Sequence, residues 1–208
     1  MGHCNAMIKT IIFDLGNVIV NVNDNKLFKD LAAVSGKNAF YIKNYYEGSS
    51  ARKDFERGKI KPRQFYDKIA KDLDLKINFN EFKKIWCGIF SLNEDVARLI
   101  QDLKRNFNLI LLSNVDLLRF EYIKNRYNIV NVFDKYVLSY KVGHVKPSPL
   151  IFMNALIKSR EMPYNCLYFD DIPEFILVAR LMGIRAFQYK NFDKLLNDLN
   201  KFNISPKI

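Results

Sequence analysis

The sequence predicts an α/β protein with a doubly wound parallel sheet and an inserted α-helical cap domain. Apolar runs that do not alternate with polar residues recur along the chain, as expected for strands covered on both faces. Helical patterns separate these runs, which is typical of a Rossmann-like core. One long interval near the start of the chain shows only helical periodicity, and it predicts the inserted domain.

Five segments have the character of buried strands. They are continuous apolar runs bounded by polar or turn-forming residues, namely IKTIIFD (8–14), FNLILLSN (107–114), KYVLSY (135–140), NCLYFDD (165–171) and IRAFQY (184–189). Helical periodicity follows at 94–105, 116–126, 148–159, 173–182 and 191–201. Because a helix separates consecutive strands, we expect the strands to run parallel.

The interval from residue 24 to residue 91 contains no convincing strand. It holds roughly 65 residues, whereas a crossover between parallel strands needs only about a dozen. Its candidate helices are 25–35, 37–47, 62–73 and 78–90, with glycine, serine and proline between them. We therefore expect a helical cap at 24–91, a core formed by 7–23 and 92–208, and a cloning remnant at 1–6.

The composition is that of a basic globular chain. Thirty-three Lys and Arg residues against 22 Asp and Glu give a net charge of +11, which attracts anions of any kind. No nucleic-acid module accompanies the charge, and no apolar run reaches the roughly 18 residues of a membrane helix. We expect no nucleic-acid partner and no membrane association. The odd cysteine count (Cys4, Cys87 and Cys166) without a CxxC pair favours a reducing, cytoplasmic location.

Polar residues stand where three of the predicted strands end. Asp14 follows IIF, Ser113 and Asn114 follow LILL, and Asp170 and Asp171 follow CLYF. In an open parallel sheet the carboxyl ends of the strands line one crevice, where ligands bind. We therefore expect these side chains to converge.

Lys146 is expected to join them. It follows the strand KYVLSY within KVGHVKPSP, and Pro147 should keep it out of helical geometry and start a helix. Each of these residues alone also fits a structural role, since an acid can cap a helix and a lysine can lie on the surface. Their joint occurrence at strand ends favours phosphoryl transfer, in which a carboxylate attacks phosphorus, Mg²⁺ neutralises charge, and serine and lysine hold the phosphoryl oxygens.

Four segments in this order resemble the motifs of the haloacid dehalogenase superfamily, in the subfamily whose helical cap follows the first strand. They are IIFDLGNVIV, LILLSN, YVLSYKVGHVKPSPLIF and CLYFDD, and the resemblance covers nearly the whole chain. Together with FERGKIKPRQF in the cap, FDLGNVIV is most similar to bacterial phosphatases that act on glucose 1-phosphate. The resemblance implies a Mg²⁺-dependent phosphatase acting on a small phosphorylated metabolite, such as a sugar phosphate, through an aspartyl-phosphate.

The resemblance also implies a role for each site residue. Asp14 would be the nucleophile and a metal ligand, and the Gly16 carbonyl would be a second ligand. Asp171 would bind the metal directly or through water, with Asp170 beside it. Phosphoryl oxygens would be held by Ser113, the Asn114 amide and Lys146, and Lys146 would also offset the negative charge.

Two features depart from the family pattern. Most phosphatases of the superfamily carry at the position of Gly16 an aspartate that protonates the leaving oxygen, although the glucose-1-phosphate type carries glycine there. Ile172 and Phe175 stand where such relatives have polar residues. The candidates to replace the absent acid are Asp24 and, from the cap, Glu47 or Glu56.

Two other functions therefore stay open. One is a catalytically weakened protein that binds phosphorylated ligands or a partner, for which Gly16 and Ile172 are the evidence. The other is a 2-haloacid dehalogenase, which would form an ester on Asp14 without a metal.

Overall fold

The computed structural model describes residues 7–207, and its main sheet has five parallel strands. They are β1 (Thr10–Phe13), β4 (Asn108–Ser113), β5 (Lys135–Leu138), β6 (Cys166–Asp170) and β7 (Arg185–Gln188). Their spatial order is β5-β4-β1-β6-β7, so the chain builds outward from β1 on one side and then on the other. This order confirms the predicted doubly wound α/β core. The predicted remnant at 1–6, which includes Cys4, lies outside the described residues.

Helices cover both faces of the sheet. They are α6 (Glu94–Leu103), α7 (Leu117–Arg126), α9 (Pro149–Ser159), α10 (Pro173–Leu181) and α11 (Phe192–Asn200). Side chains of β1 alternate between the two apolar layers: Ile11 and Phe13 pack with α6, α7 and α11, whereas Ile12 packs with α9 and α10. Because both faces are covered, the strands are apolar throughout, which is why they read as continuous runs in the sequence.

Two predicted boundaries around β5 are wrong. The strand ends at Leu138 rather than at residue 140, and Ser139–Val142 forms a one-turn helix, α8. Pro147 does not start a helix, because α9 begins at Pro149 after Ser148, whose side chain accepts a hydrogen bond from the Leu150 amide. A proline at the first helical position combined with a serine cap explains why the helix begins there.

Five helices form a second apolar layer between residues 24 and 87. They are α1 (Asp24–Ser35), α2 (Ala39–Gly48), α3 (Ser50–Glu56), α4 (Pro62–Leu73) and α5 (Phe79–Cys87). The buried Phe65 ring lies at the centre of this layer, 4.3 Å from the Phe55 ring and 4.8 Å from the Trp86 ring. The sequence did not predict α3, because Gly48 to Ser50 resembled a break between helices. Ser49 instead caps α3 directly, accepting a hydrogen bond from the Arg52 amide.

A short antiparallel ribbon joins this helical layer to the core. It consists of β2 (Val20–Val22) and β3 (Phe90–Leu92), so the expectation that residues 24–91 contain no strand is wrong at the end of that interval. The predicted helix 78–90 is correspondingly too long, since α5 ends at Cys87. The chain enters the helical layer through β2 and returns to the core through β3, so both connections belong to this ribbon.

Arg119 of α7 ties the core to the helical layer. Its guanidinium carbon lies 4.0 Å from the centre of the Trp86 ring, and Nη1 donates to the Tyr46 hydroxyl at 3.0 Å. Its Nε lies 3.7 Å from Asp116 Oδ2, which also accepts a hydrogen bond from Trp86 Nε1 at 3.0 Å. Arg119 and Asp116 are both buried, so each is the main counter-charge of the other.

No helix within residues 7–207 has the length and apolar character needed to cross a membrane. Cys87 and Cys166 are free, buried thiols.

We expect the substitution Arg119→Met to lower the free energy of unfolding by about 3–5 kcal/mol, because it leaves the Asp116 carboxylate buried without a counter-charge. The matched control is Arg126→Met, which removes an exposed arginine from the same helix. Urea unfolding followed by circular dichroism measures both. Equal losses for the two variants would contradict a structural role for the Arg119–Asp116 pair.

Candidate active site

The carboxyl edge of the sheet brings the predicted site residues together. Asp14 follows β1, Ser113 ends β4, and Asp170 ends β6, so neighbouring strands present them side by side. A cavity of about 520 Å³ lies here, and its lining includes Asp14, Gly16, Ser113, Asn114, Lys146 and Asp171. Asp170 is fully buried beneath it.

The Lys146 ammonium is the centre of the site. Its Nζ donates to Asp14 Oδ1 at 2.7 Å, to Asp170 Oδ2 at 2.5 Å and to the Leu112 carbonyl at 3.3 Å. The lysine is only 3% exposed, and the two carboxylates are buried as well. At such distances and burial, the ammonium offsets the repulsion between the two acids far more strongly than a surface lysine would.

Asn114 fixes the backbone of Lys146. The Asn114 side-chain Nδ2 donates to the Lys146 carbonyl at 2.9 Å, and the Lys146 amide donates to Asn114 Oδ1 at 2.7 Å. This reciprocal pair joins the end of β4 to the loop before α9. The Asn114 side chain therefore positions Lys146, a task that the sequence did not predict for it.

The two acids that follow β6 differ in their surroundings. Asp170 Oδ2 accepts hydrogen bonds from Lys146 and from the Tyr168 hydroxyl, and Oδ1 accepts one from the Ile172 amide at 2.9 Å. Asp171 is half-buried, lines the cavity, and accepts a hydrogen bond from Asn17 Nδ2 at 3.1 Å. Both oxygens of Asp170 are thus engaged, while Asp171 has one oxygen without a described partner.

One ligand atom from each of Asp14, Asp170 and Asp171 lies within 4.8 Å of the others. Burial raises the pKa of Asp14 to about 7, with Lys146 opposing the shift and Asp170 adding to it. Burial also raises the pKa of Asp171. Burial lowers the pKa of Lys146, but Asp14 and Asp170 raise it, and the net shift is upward. Three carboxylates with one ammonium leave excess negative charge, and their hard oxygens suit a divalent cation.

The turn after Asp14 shapes the cavity floor. The Asn17 amide donates to the Val20 carbonyl at 2.6 Å, and the Val20 amide donates to the Leu15 carbonyl at 3.0 Å, so neither bond uses the Gly16 carbonyl. A Cβ on Gly16 would lie 3.5 Å from Val22 Cγ2, which is an ordinary contact. Packing therefore does not require glycine at this position.

The helical layer supplies the opposite wall of the cavity. Its contributors are polar or charged, namely Asp24, Tyr46, Arg52, Lys53, Glu56 and Arg57. Arg52 Nη1 donates to Glu56 Oε1 at 2.5 Å. Burial raises the pKa of Glu56, although Arg52 and Arg119 act against the shift.

The three acids considered as substitutes at Gly16 are placed differently. Glu47 is exposed and is not part of the cavity lining. Its Oε1 lies 3.8 Å from Lys43 Nζ. Asp24 lines the cavity but is exposed in the first turn of α1. Glu56 lines the cavity and is mostly buried, so it best resembles a group held for proton transfer.

The loop after β6 does not depend on polar side chains at Ile172 and Phe175. The Ile172 backbone amide donates a hydrogen bond to Asp170 Oδ1. The centre of the Phe175 ring lies 5.1 Å from Lys146 Nζ. Sequence reasoning also did not single out Asn17 or Tyr168. The backbone of Asn17 is left-handed (φ 54°), a conformation that asparagine tolerates well, and this preference was the available signal.

Residues 8–183 match the haloacid dehalogenase-like hydrolase family. D-ribitol-5-phosphate phosphatase of Bacteroides thetaiotaomicron is 28% identical over 193 residues, covering 89% of this chain and 93% of that protein. The crystal structure of the haloacid dehalogenase family enzyme BT-2542 from the same organism, in complex with magnesium and inorganic phosphate, has a TM-score of 0.82 at 23% identity, covering 90% of this chain and 98% of that one. A predicted hydrolase of the same type from Porphyromonas gingivalis has a TM-score of 0.81 at 21% identity, covering 95% and 98%.

We expect Asn114→Ala to lower the free energy of unfolding by about 1–3 kcal/mol, because it leaves the Lys146 amide and carbonyl without partners. The control is Asn154→Ala, which removes a hydrogen bond to the Leu150 carbonyl on the outer side of α9. Chemical unfolding measures the difference. A loss no larger than that of the control would contradict the positioning role of Asn114.

Proposed function

Because the chain belongs to the haloacid dehalogenase-like hydrolases, we propose that it is a Mg²⁺-dependent phosphatase that acts on a small sugar or polyol phosphate. The observation that carries the proposal is the buried Lys146 ammonium between Asp14 and Asp170, at the edge of a cavity that also contains Ser113. This arrangement offers a nucleophile, a charge partner and a hydroxyl donor to one phosphoryl group. The proposal includes a cytoplasmic location, which the free thiols of Cys87 and Cys166 support.

Asp14, Asp171 and the Gly16 carbonyl would hold Mg²⁺, with Asp170 beside them. Asp171 is favoured over Asp170 as the direct ligand, because both oxygens of Asp170 already accept hydrogen bonds. When bound, Mg²⁺ supplies positive charge that screens the carboxylates from the phosphoryl oxygens. The magnesium and phosphate bound to BT-2542 support this assignment.

In the proposed reaction, the Asp14 oxygen that does not face Lys146 attacks phosphorus. The bond between phosphorus and the leaving oxygen breaks, and its electron pair stays on that oxygen. The Ser113 hydroxyl and the Asn114 backbone amide donate hydrogen bonds to the phosphoryl oxygens. Lys146 contributes its positive charge and, where it releases the Leu112 carbonyl, a hydrogen bond to the same oxygens. Water then attacks the aspartyl-phosphate, which releases inorganic phosphate and restores Asp14.

The leaving oxygen must gain a proton, and Gly16 has no side chain to supply it. A leaving group of low basicity, such as the anomeric oxygen of glucose 1-phosphate, depends least on such a proton. A primary alkyl oxygen, as in D-ribitol 5-phosphate, depends on it most. The polar cavity wall that includes Arg52 and Glu56 suits the hydroxyl groups of either substrate.

The absence of an acid at Gly16 supports a second candidate function, in which the chain binds phosphorylated ligands with little turnover. Ile172 no longer supports it, because its backbone amide donates to Asp170 Oδ1 and keeps the loop in place. The site would then retain affinity for phosphate but release none from substrates. A 2-haloacid dehalogenase would instead act without a metal and release halide from a haloacid.

We expect the wild-type chain to release phosphate from glucose 1-phosphate, D-ribitol 5-phosphate or an aryl phosphate in the presence of Mg²⁺, and to lose this activity with a chelator. Asp14→Asn should abolish turnover, because it keeps the shape of the side chain but removes the attacking charge. Asp193→Asn, an exposed acid in α11, is the control and should leave the rate unchanged. A phosphate-release assay measures the rates of the wild type, with and without the chelator, and of the two variants.

Different failures of this assay separate the alternatives. Phosphate binding without turnover would support the weakened protein, and halide release that resists the chelator would support the dehalogenase. Full activity of a folded Asp14→Asn variant would place the nucleophile elsewhere.

We expect Gly16→Asp to speed hydrolysis of D-ribitol 5-phosphate more than that of an aryl phosphate, because only the alkyl leaving group needs a proton. General acid catalysis contributes on the order of 10²–10⁴-fold, which limits the gain. The control is Gly16→Asn, which has a similar size and no acidic proton. The measured quantity is the ratio of kcat/KM for the two substrates, since damage to the metal site would slow both. An unchanged ratio would indicate that another group, such as Glu56, already supplies the proton.

A further inference from the structure

Exposed apolar side chains are concentrated on one part of the surface. Eight of the eleven large apolar side chains exposed within residues 7–207 fall between residues 150 and 181. We call the surface of six of them the α9–α10 face: Leu150, Met153, Ile157, Met162, Leu177 and Leu181. Leu181 is 78% exposed and Ile157 is 68% exposed.

The members of the α9–α10 face lie on two helices, and on the connection after α9, that cover the same side of the sheet. The α9 members follow helical spacing, at 150, 153 and 157, and those of α10 lie one turn apart, at 177 and 181. The opposite sides of both helices are buried in one apolar layer against the sheet. Near the end of α10, a Cβ on Gly183 would lie 3.3 Å from Pro163, the neighbour of Met162, so the connection after α9 reaches the end of α10.

The α9–α10 face is large for an apolar surface on a single chain. With ordinary side-chain areas, the observed exposures leave an apolar area of the same order as the ~800 Å² that each partner buries in a standard protein interface. The largest apolar patch of a typical monomer is about 300–600 Å² and often has a binding function. The face is therefore large enough to form the apolar centre of a dimer interface.

Charges on α10 are arranged symmetrically about Leu177. Glu174 precedes it by three residues and Arg180 follows it by three, and both are exposed. If a second copy of α10 lies antiparallel about a two-fold axis at Leu177, each Glu174 faces Arg180 of the other copy. A surface that complements itself under a two-fold rotation is the condition for an isologous interface.

We propose that two copies of this chain associate through the α9–α10 face, with α10 antiparallel to its copy about Leu177. The chain carries a net charge of +11, so two copies repel each other at long range. Apolar contact and the reciprocal Glu174–Arg180 pairs oppose that repulsion at short range. Added salt, which screens the long-range repulsion, is therefore expected to strengthen a dimer held mainly by apolar contact.

The first experiment measures mass by size-exclusion chromatography with light scattering over a range of concentrations. We expect the wild type to have twice the 24.5 kDa mass of one chain. Leu177→Lys and Leu181→Lys should each raise the dimer Kd at least about tenfold, since each places a charge at the centre of an apolar contact. The matched control is Phe40→Lys, at a 72% exposed position on α2, which should leave the dimer unchanged.

The second experiment tests the arrangement of the two copies. Glu174→Arg and Arg180→Glu should each weaken the dimer by placing like charges opposite each other, and the double substitution should restore it. Arg180 Nε also donates to the Ala186 carbonyl, so thermal melting verifies that each variant is folded. If Arg180→Glu does not fold, the dimer Kd values of Glu174→Arg, Leu177→Lys and Leu181→Lys test the proposal.

Three results would overturn the proposal. One is a wild type that stays monomeric at all concentrations. A monomer that sediments with lipid vesicles would count as this result too, because the face would then bind a membrane and not a second copy. Another is a dimer that Leu177→Lys and Leu181→Lys leave intact, because its interface would lie elsewhere. A folded double variant that does not regain the dimer would exclude the antiparallel arrangement.

Discussion

The ammonium of Lys146 is the interaction on which the site depends. Asp14 and Asp170 end neighbouring strands, and without a cation between them their buried carboxylates would repel each other across β1 and β6. One lysine can contact both acids because β1, which precedes Asp14, and β6, which ends at Asp170, are neighbours in the sheet. On its other side β1 is paired with β4. Asn114, just beyond β4, holds the lysine backbone, so three adjacent strands contribute to the placement of one charge. Such a cluster forms only when β4, β1 and β6 lie side by side, which links the chemistry of the site directly to the fold.

The two layers of the protein contribute different parts of the cavity. The sheet edge supplies the groups suited to phosphoryl chemistry, and these come from short loops with backbone hydrogen bonds that hold them in place. The helical layer supplies the polar wall, including Arg52 and Glu56, which in the proposed reaction would face the leaving group. Arg119 connects the two parts, because it stacks on Trp86 of the helical layer while belonging to the core helix α7. This division allows the wall to vary in sequence without disturbing the acids at the sheet edge.

Much of the core was predictable from the sequence, because strands covered on both faces must be apolar throughout and the polar residues that end them are conspicuous. The end of β5 was not predictable, because the apolar pattern continues into the one-turn helix that starts at Ser139. β2 and β3 have three residues each, too few to show a period, and α3 was hidden by the serines that cap it. In the site, the acids and Lys146 were identified by residue type and order. The pairing of Asn114 with the Lys146 backbone depends on contacts distant in sequence, so no local pattern reveals it.

The ribbon formed by β2 and β3 also determines how the helical layer can move. A domain joined to another by one flexible segment can swivel in any direction, but here both connections run side by side and are hydrogen-bonded to each other. The two connections therefore restrict the helical layer together. Val20, Val22 and Phe90 of the ribbon also line the cavity, so a displacement of the helical layer would change the cavity wall next to the acids of the sheet edge.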